Sequence, residues 1–257
     1  MIFITGDVHC RIPGSWEQNL CGSELKASKT YLEILKKNGL TSTLFINGKC
    51  FEDNKEEVNK ILKFNVELGG HSYNNFENLG AFKSYFNRLV FGCIYGSSSR
   101  QTKDIARTKK AFEDFGLEMV SWRTHAFGSN SKTFGILSNI GVKYVSDLLG
   151  ETRPYSKDGI IHIPINIPVD QNTIAYGKLT PENRNPFASC VKGRIRPSEW
   201  LEIVKRRVSD NEKRGINSIL LVHPATMACL DNFETFRSLA KFLAKYKSSK
   251  ISEFKLR

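Results

Sequence analysis

Apolar residues occur in two patterns that alternate along the whole chain. Short, nearly continuous apolar runs rich in β-branched and aromatic residues predict strands. The stretches between them place apolar residues three or four positions apart, which predicts amphipathic helices. The predicted strands, about seven, are residues 1–5, 41–46, 66–68, 117–122, 142–145, 160–163 and 218–222. The predicted helices are residues 23–38, 101–115, 131–139, 198–213 and 232–245, with another capped by Asn54 and a short helix within 74–99.

Strands that alternate with helices predict a parallel sheet joined by βαβ crossovers. The pattern allows a closed barrel or an open doubly wound sheet, and no glycine-rich nucleotide-binding motif favours the open form. The irregular stretch 168–196 contains Pro181 and Pro186 and predicts a long surface excursion. No linker divides the sequence, so residues 1–257 are predicted to form a single domain.

Composition and charge exclude few classes of protein. The formal net charge of +12 would suit a nucleic acid or another acidic partner. However, the basic residues are spread along the chain, which favours a solvated basic surface over a nucleic-acid role. No apolar run approaches the roughly 20 residues that span a membrane. The N-terminus reads as a strand rather than a signal peptide, and the cysteines form no CxxC pair, so we expect a cytoplasmic protein with reduced thiols.

Four of the five histidines follow predicted strands. In parallel α/β folds the carboxyl ends of the strands lie on one face, where active sites are built. Asp7 belongs to the same face, while His162 lies inside a predicted strand and is interpreted as structural. The histidines predicted to meet at the mouth of the sheet are His9, His71, His125 and His223.

Histidine and aspartate in one cluster suit a divalent metal with an open position for water. A bound metal lowers the pKa of its water, a nearby carboxylate can accept a proton, and a histidine can protonate a leaving amine. The sequence contains no GxSxG motif and no convincing Cys–His pairing, which makes nucleophilic hydrolysis less attractive. These residues therefore predict metal-assisted hydrolysis of an amide.

Five segments resemble, in order, the motifs of the polysaccharide deacetylases, the NodB-homology or carbohydrate esterase family 4 type. They are ITGDVH at residues 4–9, LFI at 44–46, ELGGHSYNN at 67–75, WRTHAFG at 122–128 and LLVHP at 220–224. The resemblance implies an α/β fold of the distorted (β/α)7 barrel type. It also implies a hydrolase that removes N-acetyl groups from a sugar, oligosaccharide or polysaccharide precursor, and a cytoplasmic location would favour a soluble or lipid-linked precursor.

The resemblance also implies roles for individual residues. Asp7 would be the catalytic base and His223 the general acid. Arg123 would orient Asp7 or contact substrate. Trp122 could stack on a sugar ring, and Asn75 would also lie at the substrate.

The metal ligands are where the sequence departs from the family pattern. Val8 stands where the common motif has a metal-binding aspartate, and Asn75 stands where a second metal-binding histidine is expected. His9 and His125 could replace them, so the implied ligands are His9, His71 and His125, or a set that includes Asp7. The expected ion is zinc, with cobalt, manganese or nickel as alternatives. The competing hypothesis is a non-catalytic carbohydrate-binding relative that has lost the full metal site.

Overall fold

The computed structural model describes residues 1–9, 23–75, 81–150, 153–176 and 194–256. Within this part of the chain the strands form one sheet. They are β1 (Ile2–Val8), β2 (Ser42–Ile46), β3 (Val66–Gly70), β4 (Ser121–Trp122), β5 (Tyr144–Val145), β6 (Tyr155–Lys157), β7 (Ile160–His162), β8 (Ser218–Leu221) and β9 (Ser248–Ser249). All seven predicted strands are present, and β6 and β9 are additional.

The sheet is parallel apart from the antiparallel β6–β7 hairpin and follows the order β6-β7-β5-β4-β3-β2-β1-β8, with β9 beside β1. The chain beyond β7 connects the two sides of the curled sheet. The Asn166 amide donates to the Ile219 carbonyl at 3.3 Å, and the Ile219 amide donates to Asn166 Oδ1 at 2.9 Å. This curled α/β sheet confirms the distorted barrel that the resemblance to the polysaccharide deacetylases implied.

The helices cover the outer face of the sheet. They are α1 (Glu24–Lys37), α2 (Gly48–Asp53), α3 (Lys55–Ile61), α4 (Ala81–Phe91), α5 (Ser98–Asp114), α6 (Ser131–Asn139), α7 (Pro197–Lys213), α8 (Pro224–Asp231) and α9 (Glu234–Leu243). The single helix predicted at 232–245 was wrong at its start, because Asn232 and Phe233 adopt left-handed φ angles of 50° and 68° and separate α8 from α9. Asn54 occupies the N-cap position of α3 without a side-chain capping bond.

Alternation along β1 sorts its side chains into two layers. Ile2, Ile4 and Val8 pack in the core between the sheet and the helices, whereas Phe3 packs in the cluster inside the barrel. Successive strand residues point to opposite faces, so Asp7 shares the inner face with Phe3. Val8, at the position where the family motif has a metal-binding aspartate, therefore points away from the barrel mouth.

Two predicted features lie partly or wholly outside the described residues. In the excursion predicted at 168–196, Gln171–Tyr176 form a π-helical turn, and 177–193, with Pro181 and Pro186, are not described. The prediction of reduced cysteines is the second: Cys50, Cys93 and Cys229 are thiols, whereas Cys10, Cys21 and Cys190 lie outside the described residues. Among the described helices, none combines the length and apolar character required to cross a bilayer.

Gly70 pairs with Trp122 where β3 and β4 meet. A Cβ at Gly70 would overlap the Trp122 ring and lie 2.5 Å from Met119 Sδ. We expect Gly70→Ala to lower the free energy of unfolding by about 1–3 kcal/mol because the packed core must shift. Gly135→Ala is the matched control: its Cβ meets nothing within 4 Å, and the helical position should gain about 0.5–1 kcal/mol. Urea denaturation measures both, and equal effects would contradict this packing.

A histidine cluster and an acid–base pair at the barrel mouth

Three histidines from different parts of the chain meet at the mouth of the barrel. His9 follows β1, His71 follows β3, and His125 begins a 3-10 turn after β4. His9 Nε2 lies 3.1 Å from His125 Nδ1, which lies 3.3 Å from His71 Nε2. One nitrogen of each ring lies within 4.8 Å of the other two. The predicted convergence of these imidazoles is therefore present in the structure.

The outer nitrogens of two of these rings are held by groups that can only accept a hydrogen bond. His9 Nδ1 lies 2.9 Å from Glu24 Oε2, and His71 Nδ1 lies 2.8 Å from the Arg123 carbonyl oxygen. In the neutral rings these contacts place the proton on Nδ1 and leave Nε2 with its lone pair. His125 Nδ1 can donate to only one of the two Nε2 atoms. The cluster therefore has more inward-facing lone pairs than protons to satisfy them.

A divalent cation fits this donor set. Two ligands about 2.0–2.1 Å from a tetrahedral zinc ion are about 3.3–3.4 Å apart, close to the spacings within the cluster. Burial lowers the pKa of His71 to about 3 and lowers the pKa of His125 well below its usual value, so both rings are neutral near pH 7. Burial also opposes charge on His9, but the Glu24 carboxylate outweighs it and raises the pKa of His9. The negative charge of Glu24 thus favours a cation at His9 Nε2, either a proton or a metal ion.

Asp7 lies between the histidine cluster and His223. Its Oδ2 is 3.8 Å from both His71 Nε2 and His223 Nε2. Its Oδ1 accepts a 2.8 Å hydrogen bond from Arg123 Nη1. Burial disfavours the charged carboxylate, but Arg123, His71 and His223 together hold the pKa of Asp7 well below its usual range. Asp7 is therefore ionised and keeps one oxygen facing the site.

His223 is oriented by Asp170. Its Nδ1 lies 2.7 Å from Asp170 Oδ1, and its backbone N–H donates to Asp170 Oδ2 at 2.7 Å. Because the carboxylate can only accept, the Nδ1 proton is held there and Nε2 is the nitrogen that exchanges protons toward Asp7. Asp170 is completely buried and both of its carboxylate oxygens bond to His223, so it supports the imidazole ring and does not itself contact a substrate.

Arg123 and Trp122 are both fully buried, which corrects their prediction as substrate-binding residues. The Arg123 guanidinium is enclosed by Thr5 Oγ1, Asp7 Oδ1 and the carbonyl and hydroxyl oxygens of Ser146. Of the two roles predicted for Arg123, orientation of Asp7 is the one that this position allows. Trp122 packs on the helix-facing side of the sheet and cannot present its ring to a sugar.

Asn75 is not among the residues that could hold a metal in the described part of the chain. Its backbone adopts a left-handed φ of 46°, and both polar atoms of its amide are buried without a hydrogen-bond partner among the described residues. A substrate contact at Asn75 stays a prediction. His162 stacks on Tyr155 and contacts Phe134, in agreement with its interpretation as structural.

Sequence reasoning missed Glu24, which holds His9. Glu24 is the first residue of α1, where a negative charge would be expected simply to stabilise the helix through its dipole. Only the fold shows that the same side chain, almost wholly buried, accepts from both the backbone and the ring of His9. The sequence itself marks Glu24 only as an acid at the start of a helix.

Comparisons with known proteins agree with this architecture. The polysaccharide deacetylase family model matches residues 23–145. A candidate polysaccharide deacetylase from Mycobacterium smegmatis shares 18% identity and a TM-score of 0.70, with 95% of this chain and 84% of that chain covered. A family 4 carbohydrate esterase from Streptomyces lividans, in complex with acetate, shares 14% identity and a TM-score of 0.51 over 94% and 86% of the two chains.

A CE4 family pseudoenzyme from Bacillus anthracis has the same fold, with 16% identity and a TM-score of 0.56 over 98% of this chain and 64% of that one. A search of curated proteins finds no match. At these identities the solved structures establish the fold alone. Together with the family model they confirm the resemblance to the polysaccharide deacetylases, a group that includes an inactive member.

Proposed function

From a chain that resembles the polysaccharide deacetylases in sequence and fold, we propose a metal-dependent hydrolase that removes acetyl groups from the nitrogen of an N-acetylated sugar. The observation that carries the proposal is the cluster of three imidazole nitrogens beside an ionised carboxylate and an oriented histidine. His9, His71 and His125 would hold the ion, with zinc preferred and cobalt, manganese or nickel as alternatives. When bound, the ion supplies a Lewis acid and lowers the pKa of water.

Asp7 is the proposed base. Arg123 holds Oδ1, so Oδ2 is the oxygen free to accept a proton from the attacking water. The water oxygen bonds to the amide carbonyl carbon while its proton passes to Asp7. The guanidinium stabilises the carboxylate before the proton arrives and fixes its direction, so little reorganisation is needed in the transition state.

His223 is the proposed acid. Its Nε2 donates a proton to the sugar nitrogen as the bond between that nitrogen and the carbonyl carbon breaks, which releases acetate and a free amine. Asp170 keeps the Nδ1 proton in place and stabilises the imidazolium form that must precede donation. Asp7 Oδ2 and His223 Nε2 lie 3.8 Å apart, so an amide placed beside the pair would be within reach of both base and acid.

Release of acetate tests the proposal. Protein loaded with zinc, cobalt, manganese or nickel is incubated with an N-acetylglucosamine oligosaccharide, and acetate and free amine are measured together. We expect equal amounts of both products, and His223→Gln to lower the rate at least about a hundredfold because the general acid is lost. His162→Gln, the same substitution at the structural histidine, should retain the activity.

The competing hypothesis is a non-catalytic carbohydrate-binding relative. It predicts that the same oligosaccharide binds, as measured by calorimetry, but releases no acetate with any of the four ions. Metal analysis of the same samples separates the reasons for inactivity. A chain that holds its ion and still releases no acetate contradicts the proposed chemistry, whereas a chain that holds no ion contradicts the proposed metal site.

A further inference from the structure

Helix α4 leaves an unusually large apolar surface uncovered. Within the described residues, eight large hydrophobic side chains are exposed, and six of them belong to this one helix of 11 residues. Phe82 is 82% exposed, Leu89 74% and Tyr85 65%. Single exposed apolar residues are ordinary on protein surfaces, but a contiguous group marks a surface that is covered by something else.

Four of the six exposed side chains form one stripe along α4. At 100° per residue, Phe82, Tyr85, Phe86 and Leu89 fall within about a third of the helix circumference. The opposite side is attached to the protein: Asn87 Nδ2 donates to the Ile94 carbonyl at 2.8 Å. The apolar stripe of this helix therefore faces solvent, whereas that of an ordinary surface helix faces the core.

Basic side chains lie on and beside the same helix. Arg100 lines the same hollow as Phe82 and Phe86. Helix α4 itself contains Lys83 and Arg88 and no acidic residue. An apolar stripe within a basic region is typical of helices that lie in the interface of anionic membranes.

The helix adjoins the mouth of the barrel. Asn130, which lies five residues beyond His125, donates from Nδ2 to the Phe91 carbonyl at 3.4 Å. A Cβ on Gly128, which ends the 3-10 turn of His125, would lie 2.5 Å from Ile94 Cγ1. Phe91 at the end of α4 and Ile94 just beyond it thus connect the helix to the segment that carries one of the three clustered histidines.

We propose that α4 docks this protein onto the surface of an anionic phospholipid bilayer. The apolar stripe enters the boundary between headgroups and acyl chains, and the surrounding lysines and arginines contact the phosphate-bearing headgroups. This inference goes beyond the proposed hydrolysis and does not depend on it. It brings the barrel mouth close to the bilayer surface without any segment that crosses it.

Flotation with vesicles tests the docking. The full chain is mixed with vesicles of phosphatidylcholine containing phosphatidylglycerol, or of phosphatidylcholine alone, and floated in a density gradient. We expect flotation with the anionic vesicles, weakened by added salt, and much less with the neutral ones. The triple variant Phe82→Ser, Phe86→Ser, Leu89→Ser should lower the partition coefficient by about tenfold or more, because it removes the inserted apolar area.

Tyr155→Ser combined with Leu256→Ser is the matched control, because these are the two exposed large apolar residues outside α4 in the described chain. It should float like the parent protein. Absence of flotation, or equal loss in both variants, overturns the proposal. A second copy of the chain could cover the stripe instead. The proposal is therefore also overturned if light scattering shows that the parent protein is a dimer, that the triple variant is a monomer, and that neither binds vesicles. Vesicle binding is measured without metal or sugar, so its failure leaves the proposed hydrolysis untouched.

Discussion

Asp7→Asn is expected to lower acetate release by about a thousandfold and the free energy of unfolding by about 3 kcal/mol. The catalytic loss follows because an amide cannot accept the proton of the attacking water. The loss of stability follows because Arg123 is fully buried and Asp7 is the one carboxylate among its hydrogen-bond partners. Removal of that charge leaves the buried guanidinium without its direct ion-pair partner. Kinetic assays and urea denaturation measure the two effects separately.

The double variant Asp7→Asn, Arg123→Met separates structure from chemistry. Without the buried cation, the stability lost in Asp7→Asn should largely return, whereas activity should not. Asp114→Asn serves as the control, because it breaks an exposed ion pair with Lys110 and should change the free energy of unfolding by less than about 0.5 kcal/mol. A stable but inactive Asp7→Asn would mean that Arg123 is not held as described, and an active one would remove Asp7 from the mechanism.

The periodicity of apolar residues predicted the fold well because it reports which faces are buried. The strand β1 alternates between the helix-facing core and the barrel interior, so the positions of Asp7 and His9 followed from their spacing alone. Because of this alternation Val8 points toward the helix-facing core, so its apolar side chain does not interfere with a metal site at the barrel mouth. Parallel strands then bring side chains more than a hundred residues apart to one face, as His9 and His125 demonstrate.

Alternation also corrects the prediction for Trp122 and Arg123. Adjacent residues at the end of a strand point to opposite faces, so these two could not both have reached a substrate. Trp122 takes the helix-facing side and Arg123 the interior. Strand alternation in the sequence already argued against substrate contact by both residues. The prediction followed the resemblance to a family motif instead.

The pairs Glu24–His9 and Asp170–His223 lay beyond sequence reasoning. Each joins a histidine at the end of a strand to an acid in a different element, across 15 and 53 positions. Which carboxylate reaches which ring depends on how a helix starts and how a π-helical turn folds back, and periodicity carries no information on either. Such supporting acids fix the ring orientation and the proton positions on which the chemistry depends.

Zinc is expected to raise the unfolding temperature of the metal-free protein by roughly 8–16 °C at a free concentration about a thousand times the dissociation constant. The expectation rests on a site preformed in the folded chain, where two Nε2 lone pairs already face His125 Nδ1. An ion that binds only the folded state adds about 4 kcal/mol at that concentration. Differential scanning fluorimetry measures the shift, and elemental analysis should find one ion per chain.

Three variants assign this shift to the cluster. His71→Gln should abolish it, because one of the three nitrogens is lost. His162→Gln makes the same change in β7 and should leave the shift intact. His223→Gln should also keep the ion while losing activity, because its Nε2 faces Asp7 and is not one of the clustered nitrogens. An equal shift in His71→Gln and the parent protein would place the ion elsewhere, for example on the thiols.

Glu24→Gln gives a graded test of the same site. An amide at residue 24 bonds His9 Nδ1 without the negative charge that favours a cation on the opposite nitrogen. Loss of such a supporting carboxylate typically weakens metal binding by about 10–100-fold, so the shift should shrink without vanishing. Glu33→Gln, on the exposed side of the same helix, should have no effect. Because His9 keeps its ring in both variants, a difference between them isolates the charge of Glu24 as the cause.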